Sequence, residues 1–276
     1  MIQIDTGTDE LLCDLQSRVA TITLNRPEKR NALSDNLTPA LRETLLVLER
    51  DPRVGCVVIT GAGRAFCAGG DVSGMGGGSK TTPETPKPTL EDSIRTLQHK
   101  QETLSLRLHE LTKPTIASLP GPAAGAGLSI ALACDLRLMA ENAFITTAFK
   151  NIGLSGDYGS SWFLTQLVGP ALAKELFFTS RRVSAEECLR LGIANRVVPF
   201  ETLAEDTAAL AQEIAHGPRV ALGYMKENLN RALTADLRTC LAMEADRMVR
   251  STRTEDHKEA VRAFLEKRSP RFDHPE

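Results

Sequence analysis

Asp157 has the setting in this 276-residue chain that most invites acid–base chemistry. It stands in Gly153-Leu-Ser-Gly-Asp-Tyr-Gly159, a Gly-rich turn entering a helix at Gly159 or Ser160, with Leu154, Tyr158, Trp162 and Phe163 close by. Apolar neighbours strip water from a carboxylate and raise its pKa toward neutrality, where it can take up and return a proton. Two other stretches could serve such a base. Gly61-Ala-Gly-Arg-Ala-Phe-Cys-Ala-Gly-Gly-Asp71 follows one apolar run, and Pro120-Gly-Pro-Ala-Ala-Gly-Ala-Gly127 follows another. Small residues leave backbone N–H groups uncrowded, so each loop can lend one donor to the same oxygen. Such a pair is an oxyanion hole for a carbonyl becoming an enolate, an effect typically of a few kcal/mol.

The same residues also have plain structural uses. An Asp ahead of Gly-Ser-Ser is a common turn residue or helix cap, and Gly and Ala runs let a helix pack closely on a sheet. Residue types alone leave both uses open. Two other chemistries are excluded. GPAAGAGLS lacks the Lys of a phosphate-cradling loop, and GAGLSI lacks the third Gly of the dinucleotide fingerprint.

Elements that would position these loops follow from periodicity. Val19–Leu24 alternates and is β-branched, a strand. Ser34 caps a helix to about Glu49, with Leu41, Leu45 and Leu48 on one face, and Asp51-Pro52 ends it. Val54–Thr60 is apolar on both faces, the mark of a central strand in a mostly parallel sheet, and Thr115–Leu119 reads as a second buried strand. An apolar helix spans Leu128–Cys134. The Gly-, Thr- and Pro-rich Ser73–Pro88 reads as a mobile loop, either an active-site lid or a surface insertion. Leu90–Thr112 is a long helix with Ile94, Leu97, Leu104, Leu108 and Leu111 on a stripe, and its His99 and His109 read as surface residues. Short strands are expected at Asp135–Ala140, Ala143–Thr147 and Ala194–Val198. Pro170 starts a helix reaching Thr179, and Ser184 caps another closed by Gly192. From Phe200 onward the chain is helical, which divides it into an α/β core, 1–199, and a helical C-terminal region, 200–276.

Composition is that of an ordinary globular protein, 42% hydrophobic and 25% charged. A formal net charge of −2 offers no field for nucleic acid. No apolar run approaches the length of a membrane span, and the N-terminus lacks a signal-peptide pattern. Six scattered cysteines without a C-x-x-C pair suit reduced thiols in a cytoplasmic protein, and neither Cys nor His has metal-ligand spacing.

Along nearly its whole length the chain resembles the crotonase (enoyl-CoA hydratase/isomerase) superfamily. The likeness is carried by Asn25-Arg-Pro-x-x-x-Asn31-Ala32-Leu33, Ala65-Phe66-Cys67-Ala68-Gly69-Gly70-Asp71, Lys113-Pro114-x-Ile-Ala, Gly125-x-Gly-Leu and Cys134-Asp135. Gly153-Leu154, Leu167-Val168-Gly169, Ala185-Glu186-Glu187 to Gly192, and Ala263-Phe264-Leu265-Glu266-Lys267-Arg268-x-Pro270-x-Phe272 follow in order.

That resemblance implies an α/β fold, a crotonase-type spiral of ββα units with a helical C-terminal trimerisation region. It implies an acyl-CoA thioester substrate, no cofactor beyond the coenzyme A of that substrate, and a homo-oligomer, a trimer or a dimer of trimers. Carried over by position, the oxyanion-hole amides are those of Gly70 and Ala126. Lys29, Arg30 and Ala32 contact CoA, with Ala68 and Asp71 beside them. Departures from the pattern bear on the reaction. Hydratases of the family use two glutamates, whose positions fall here on Ser129 and on Ala148 or Phe149, and none of these transfers a proton. Asp157 falls where enoyl-CoA isomerases, and the ring-opening isomerase of phenylacetate breakdown, carry their acid/base carboxylate. Aryl-CoA dehalogenases have a nucleophilic Asp at the same place. The expectation is therefore double-bond isomerisation with one Asp. Hydration, dehalogenation and a non-catalytic acyl-CoA-binding subunit are the alternatives.

Overall fold

The computed structural model describes residues 1–71 and 88–272. Most of Ser73–Pro88 thus lies outside the described residues. The chain enters through strand β1 (Ile2–Gln3) and the antiparallel hairpin β2 (Leu11–Gln16) and β3 (Val19–Leu24). Helix α1 (Leu37–Arg50) then crosses to β4 (Cys56–Gly61), which runs parallel to β3. Leu37, Leu41, Leu45 and Leu48 of α1 are wholly buried, each worth about 1.5–3 kcal/mol of transfer free energy. Ser34 Oγ accepts from Leu37 N at 3.0 Å, so the expected cap holds the first turn, although the helix itself begins at Leu37.

Beyond β4 come α2 (Leu90–Gln101), a π-helical turn (Glu102–Leu106) and α3 (Arg107–Glu110). Next are β5 (Thr115–Leu119), β6 (Ala123–Ala124), α4 (Ala126–Ala133), β7 (Leu136–Ala140) and β8 (Phe144–Thr146). After α5 (Ser160–Thr179), β9 (Val183–Ser184), α6 (Ala185–Arg190) and β10 (Arg196–Val198) complete the sheets. Four helices close the chain, α7 (Leu203–Ala215), α8 (Arg219–Ala232), α9 (Leu237–Ser251) and α10 (Glu255–Leu265). Among the described residues no helix is long and apolar enough to cross a membrane.

The larger sheet has the order β1-β2-β3-β4-β5-β7-β10, parallel from β3 onward, and β6-β8-β9 form a smaller one. Each turn of the chain follows one scheme. A long strand of the large sheet passes into a short extended segment and then toward a helix. β5 leads to β6, and β7 leads to β8, while β4 leads to residues that bridge Leu33 and Ala123. This is the expected ββα spiral, and it brings the ends of neighbouring parallel strands side by side.

Two local expectations change. The stripe on Leu90–Thr112 breaks at the π turn: Leu104, Leu108 and Leu111 are fully buried, whereas Ile94 and Leu97 of α2 are exposed. An extra residue in one turn rotates everything before it off the shared face. Helix α4 starts at Ala126 rather than Leu128, because Gly125 (φ 51°, ψ −129°) turns the chain abruptly out of β6. As expected, a new helical stretch begins at Pro170, because Gly169 (φ 76°, ψ 164°) breaks α5 just before it.

Helix α7 packs across the strands of the large sheet, burying Leu203, Thr207, Ala211 and Ala215. Helix α8 is tied to the core by Lys226, which is buried and donates to Asp135 Oδ2 at 2.9 Å and to the carbonyls of Lys113 and Leu108 at 3.3 and 3.4 Å. Asp135 also accepts from Thr115 N at 2.7 Å and Thr115 Oγ1 at 2.8 Å. Removing the ammonium leaves two buried carbonyls without this donor and the part-buried Asp135 carboxylate without its cation. Lys226→Met is expected to lower the unfolding free energy by about 2 kcal/mol in a urea titration, and an unchanged midpoint and slope would show that α8 is anchored elsewhere.

Candidate active site

The loop after β4 is built against the turn after β3. Asn31, fully buried, donates from Nδ2 to Ala62 O at 3.0 Å and Ala65 O at 2.8 Å, and its Oδ1 accepts from Arg26 N at 2.9 Å. Arg26 Nη1 donates to Ala32 O at 2.6 Å, and Nη2 meets Asp71 Oδ2 at 3.1 Å. Backbone bonds from Ala68 N to Arg30 O (3.0 Å), Leu33 N to Gly69 O (2.8 Å) and Asp71 N to Leu33 O (3.0 Å) zip the two stretches together. Lys29, Arg30, Ala32, Ala68 and Asp71 are thereby gathered at one edge. The first two are exposed on a tight turn in which Arg30 and Asn31 take φ 49° and 56°.

The same zipper orients Gly70. In a parallel bridge with Leu33 the bonding groups are Gly69 O and Asp71 N, so the N–H of Gly70 points to the opposite side. On that side lies the segment leading into α4. Cys67 bridges Ala123, with Ala124 N donating to Cys67 O at 2.9 Å. A Cβ placed on Gly127 would meet Cys67 O at 2.5 Å and Cys67 Sγ at 2.6 Å, so only glycine admits this approach. A Cβ on Gly69 would lie 3.6 Å from Ala126 N. Ala126 is the first residue of α4, and its N–H therefore has no acceptor within the helix.

Asp157 reaches the same place from another direction. Ser129, one turn along α4 from Ala126, donates from Oγ to Asp157 O at 3.0 Å. Three residues of helix rise about 4.5 Å, so the Asp157 turn stands within one helical turn of Ala126. Phe149 fills the space between, close to Gly125 and Gly156 and stacked on Phe177 at 6.1 Å. At the positions expected to correspond to the hydratase glutamates, Ser129 has a hydroxyl within bonding distance of two backbone carbonyls, Asp157 O at 3.0 Å and Gly125 O at 3.2 Å, and Ala148 and Phe149 are apolar.

Burial alone pushes the Asp157 carboxyl up to about 6, and its Oδ1 is buried without a hydrogen-bond partner among the described residues. Of the four apolar neighbours suggested by the sequence, Tyr158 and Phe163 are buried, whereas Leu154 and Trp162 are partly exposed. His109, expected on the surface, is half-buried, edge-on to Trp162 at 5.3 Å and Phe163 at 5.5 Å, and held below the usual histidine range by that burial. It lines a cavity of about 760 Å³ between α2, α5 and α8 that Tyr158 and Gln101 also border. Sequence reading missed Gln101, whose Oε1 accepts from Tyr158 N at 2.7 Å. Nothing local signals a contact across 57 residues.

A solved enoyl-CoA hydratase from a Polaromonas species superposes with a TM-score of 0.85 at 33% identity, covering 95% of this chain and 99% of that one. The fold is the crotonase fold. Among sequence relatives, the 1,2-epoxyphenylacetyl-CoA isomerase of Escherichia coli is 38% identical over 95% of this chain and 97% of its own length. The short-chain-enoyl-CoA hydratase of Clostridium acetobutylicum is 33% identical over 94% and 96%. The profile of the enoyl-CoA hydratase/isomerase family matches residues 14–275. The chain belongs to that family of acyl-CoA enzymes.

A carboxyl raised in the fold favours the neutral form, so its ionisation opposes folding above its native pKa. The penalty is absent below pH 4, grows as pH rises through about 6 and is complete above it. Asp157→Asn is expected to stabilise the protein at pH 8 by up to about 3 kcal/mol, with little gain at pH 4, as read from melting curves at both values. Equal melting of the two proteins at pH 8 would mean that the carboxyl is solvated.

Proposed function

We propose that this enzyme moves the double bond of an enoyl-CoA, with Asp157 as its single acid/base. The thioester carbonyl accepts hydrogen bonds from the N–H groups of Gly70 and Ala126. Asp157, as carboxylate, takes a proton from Cα of a 3-enoyl-CoA. The C–H electron pair enters the conjugated dienolate, whose negative charge rests on the thioester oxygen. The protonated carboxyl then delivers the same proton to Cγ, leaving the 2-enoyl-CoA and regenerating the base. Lys29 and Arg30 offer charge to the CoA phosphates, and Ala32, Ala68 and Asp71 form the edge beside them.

The observation that carries this reading is the isolation of Asp157. Its carboxyl is desolvated, with Oδ1 unpartnered among the described residues, on a turn whose backbone is bonded to Ser129, one helical turn from Ala126. The hydratase glutamate positions implied by the resemblance fall on Ser129 and on Ala148 or Phe149. A proton moved between two carbons of one substrate needs one carboxyl, whereas activating and adding water uses two in the hydratases. Hydration of a 2-enoyl-CoA is the competing reading, favoured by the hydratase names of several relatives. Assembly with copies of the chain, as a trimer or dimer of trimers, is supported by the apolar residues that α8–α10 leave exposed, among them Leu229, Leu237, Met248, Phe264 and Leu265.

Assays of 3-hexenoyl-CoA and 2-hexenoyl-CoA side by side separate the readings. Double-bond migration is expected to outpace hydration, and kcat/KM should rise with pH through about 6 as Asp157 ionises. Asp157→Asn should lower kcat by roughly 10²-fold or more. Rapid hydration of the 2-enoyl compound with no migration would replace isomerase by hydratase. Binding without turnover, unaffected by Asp157→Asn, would point to a non-catalytic subunit.

A further inference from the structure

Among the described residues no hydrogen bond holds Oδ1 of Asp157, so the aim of this carboxyl depends on the backbone that carries it. That backbone is gripped at a single peptide unit. The carbonyl oxygen of Asp157 accepts from Ser129 Oγ at 3.0 Å and from Ser160 Oγ at 3.1 Å. The N–H of the same unit, which belongs to Tyr158, donates to Gln101 Oε1 at 2.7 Å. A peptide plane tethered at both its oxygen and its nitrogen cannot swing, which fixes ψ of Asp157 and φ of Tyr158. The latter is 49°, a left-handed value that a tyrosine seldom adopts. Such a conformation persists where its surroundings over-determine it, as the two tethers do.

The tethers come from elements remote from the turn. Ser129 is fully buried in α4, the helix that begins at Ala126. Gln101 ends α2, and the π turn begins one residue later. Ser160, by contrast, is local, three residues beyond Asp157, and serves as an ordinary turn contact.

We propose that Gln101 and Ser129 are positioning residues, which clamp the Asp157–Tyr158 peptide from opposite ends and so aim the Asp157 carboxyl at the reacting carbons. The inference rests on Asp157 being the acid/base. Ser129 then has a role of its own: at a position where hydratases handle protons, this chain holds its one carboxyl in place. A clamp acting only on aim leaves substrate binding alone and slows the chemical step.

Steady-state kinetics with 3-hexenoyl-CoA test this on the full-length protein. Gln101→Met keeps the side-chain length and loses the acceptor, and Ser129→Ala loses the hydroxyl. Each is expected to lower kcat about 10- to 100-fold with KM changed less than about twofold, at a melting temperature near wild type. Gln101→Glu, which keeps an acceptor for Tyr158 N–H, should recover most of the loss. If Asp157→Asn abolishes activity while Gln101→Met and Ser129→Ala retain wild-type kcat, the positioning role is wrong and the acid/base reading stands. If Asp157→Asn keeps full activity, or the wild type does not turn over 3-hexenoyl-CoA, the acid/base reading fails and the clamp with it. A loss confined to KM, or a failure of Gln101→Glu to restore kcat, would also overturn the inference.

Discussion

The candidate site depends on how closely two backbone segments approach. The stretch after β4 and the stretch after β5 touch at main-chain distance, joined by the Cys67–Ala123 bridge, and the first turn of α4 rests on Cys67 with no room for a methyl group at Gly127. Neighbouring parallel strands deliver their following loops side by side, at the edge where open α/β sheets characteristically place ligands. The small residues between 65 and 71 and between 121 and 127 follow from that geometry. A side chain at the contact would push α4 outward and separate the two N–H groups that would meet an oxygen.

A second constraint is electrostatic. Burial disfavours the charged form of the Asp157 carboxyl, and among the described residues no donor meets its Oδ1. Such a group is poor as a structural element and well matched to passing a proton near neutrality. The contrast with Asp71 and Asp135 is instructive. Both are acids of the same core, but Asp71 pairs with Arg26 and Asp135 with Lys226, which suits the holding of loops and helices. Pairing therefore distinguishes the proposed acid from the structural ones where residue type does not.

Much of the fold was legible because it is written in local periodicity. The leucines of α1, the apolar runs of β4 and β5, and the Gly169-Pro170 break each act within a few residues. The π turn was not legible: the stripe from Ile94 to Leu111 reads as continuous, and only three-dimensional packing shows that its first half leaves the core. The same limit applied at the site. Asp157 and the two small-residue loops stood out by composition, and the resemblance gave Gly70 and Ala126 their candidate roles. The Gln101–Tyr158 and Ser129–Asp157 bonds are contacts between distant segments that no single stretch announces. His109 was misread for the same reason, since the aromatic pair that half-buries it lies on another helix.

A crystal structure with a saturated acyl-CoA bound, unable to react, tests the central claim most directly. The account predicts the thioester oxygen within about 3 Å of both the Gly70 and Ala126 nitrogens, and the Asp157 carboxyl facing Cα and Cγ on one side of the chain. A thioester oxygen held by other groups, or an Asp157 turned away from those carbons, would contradict it.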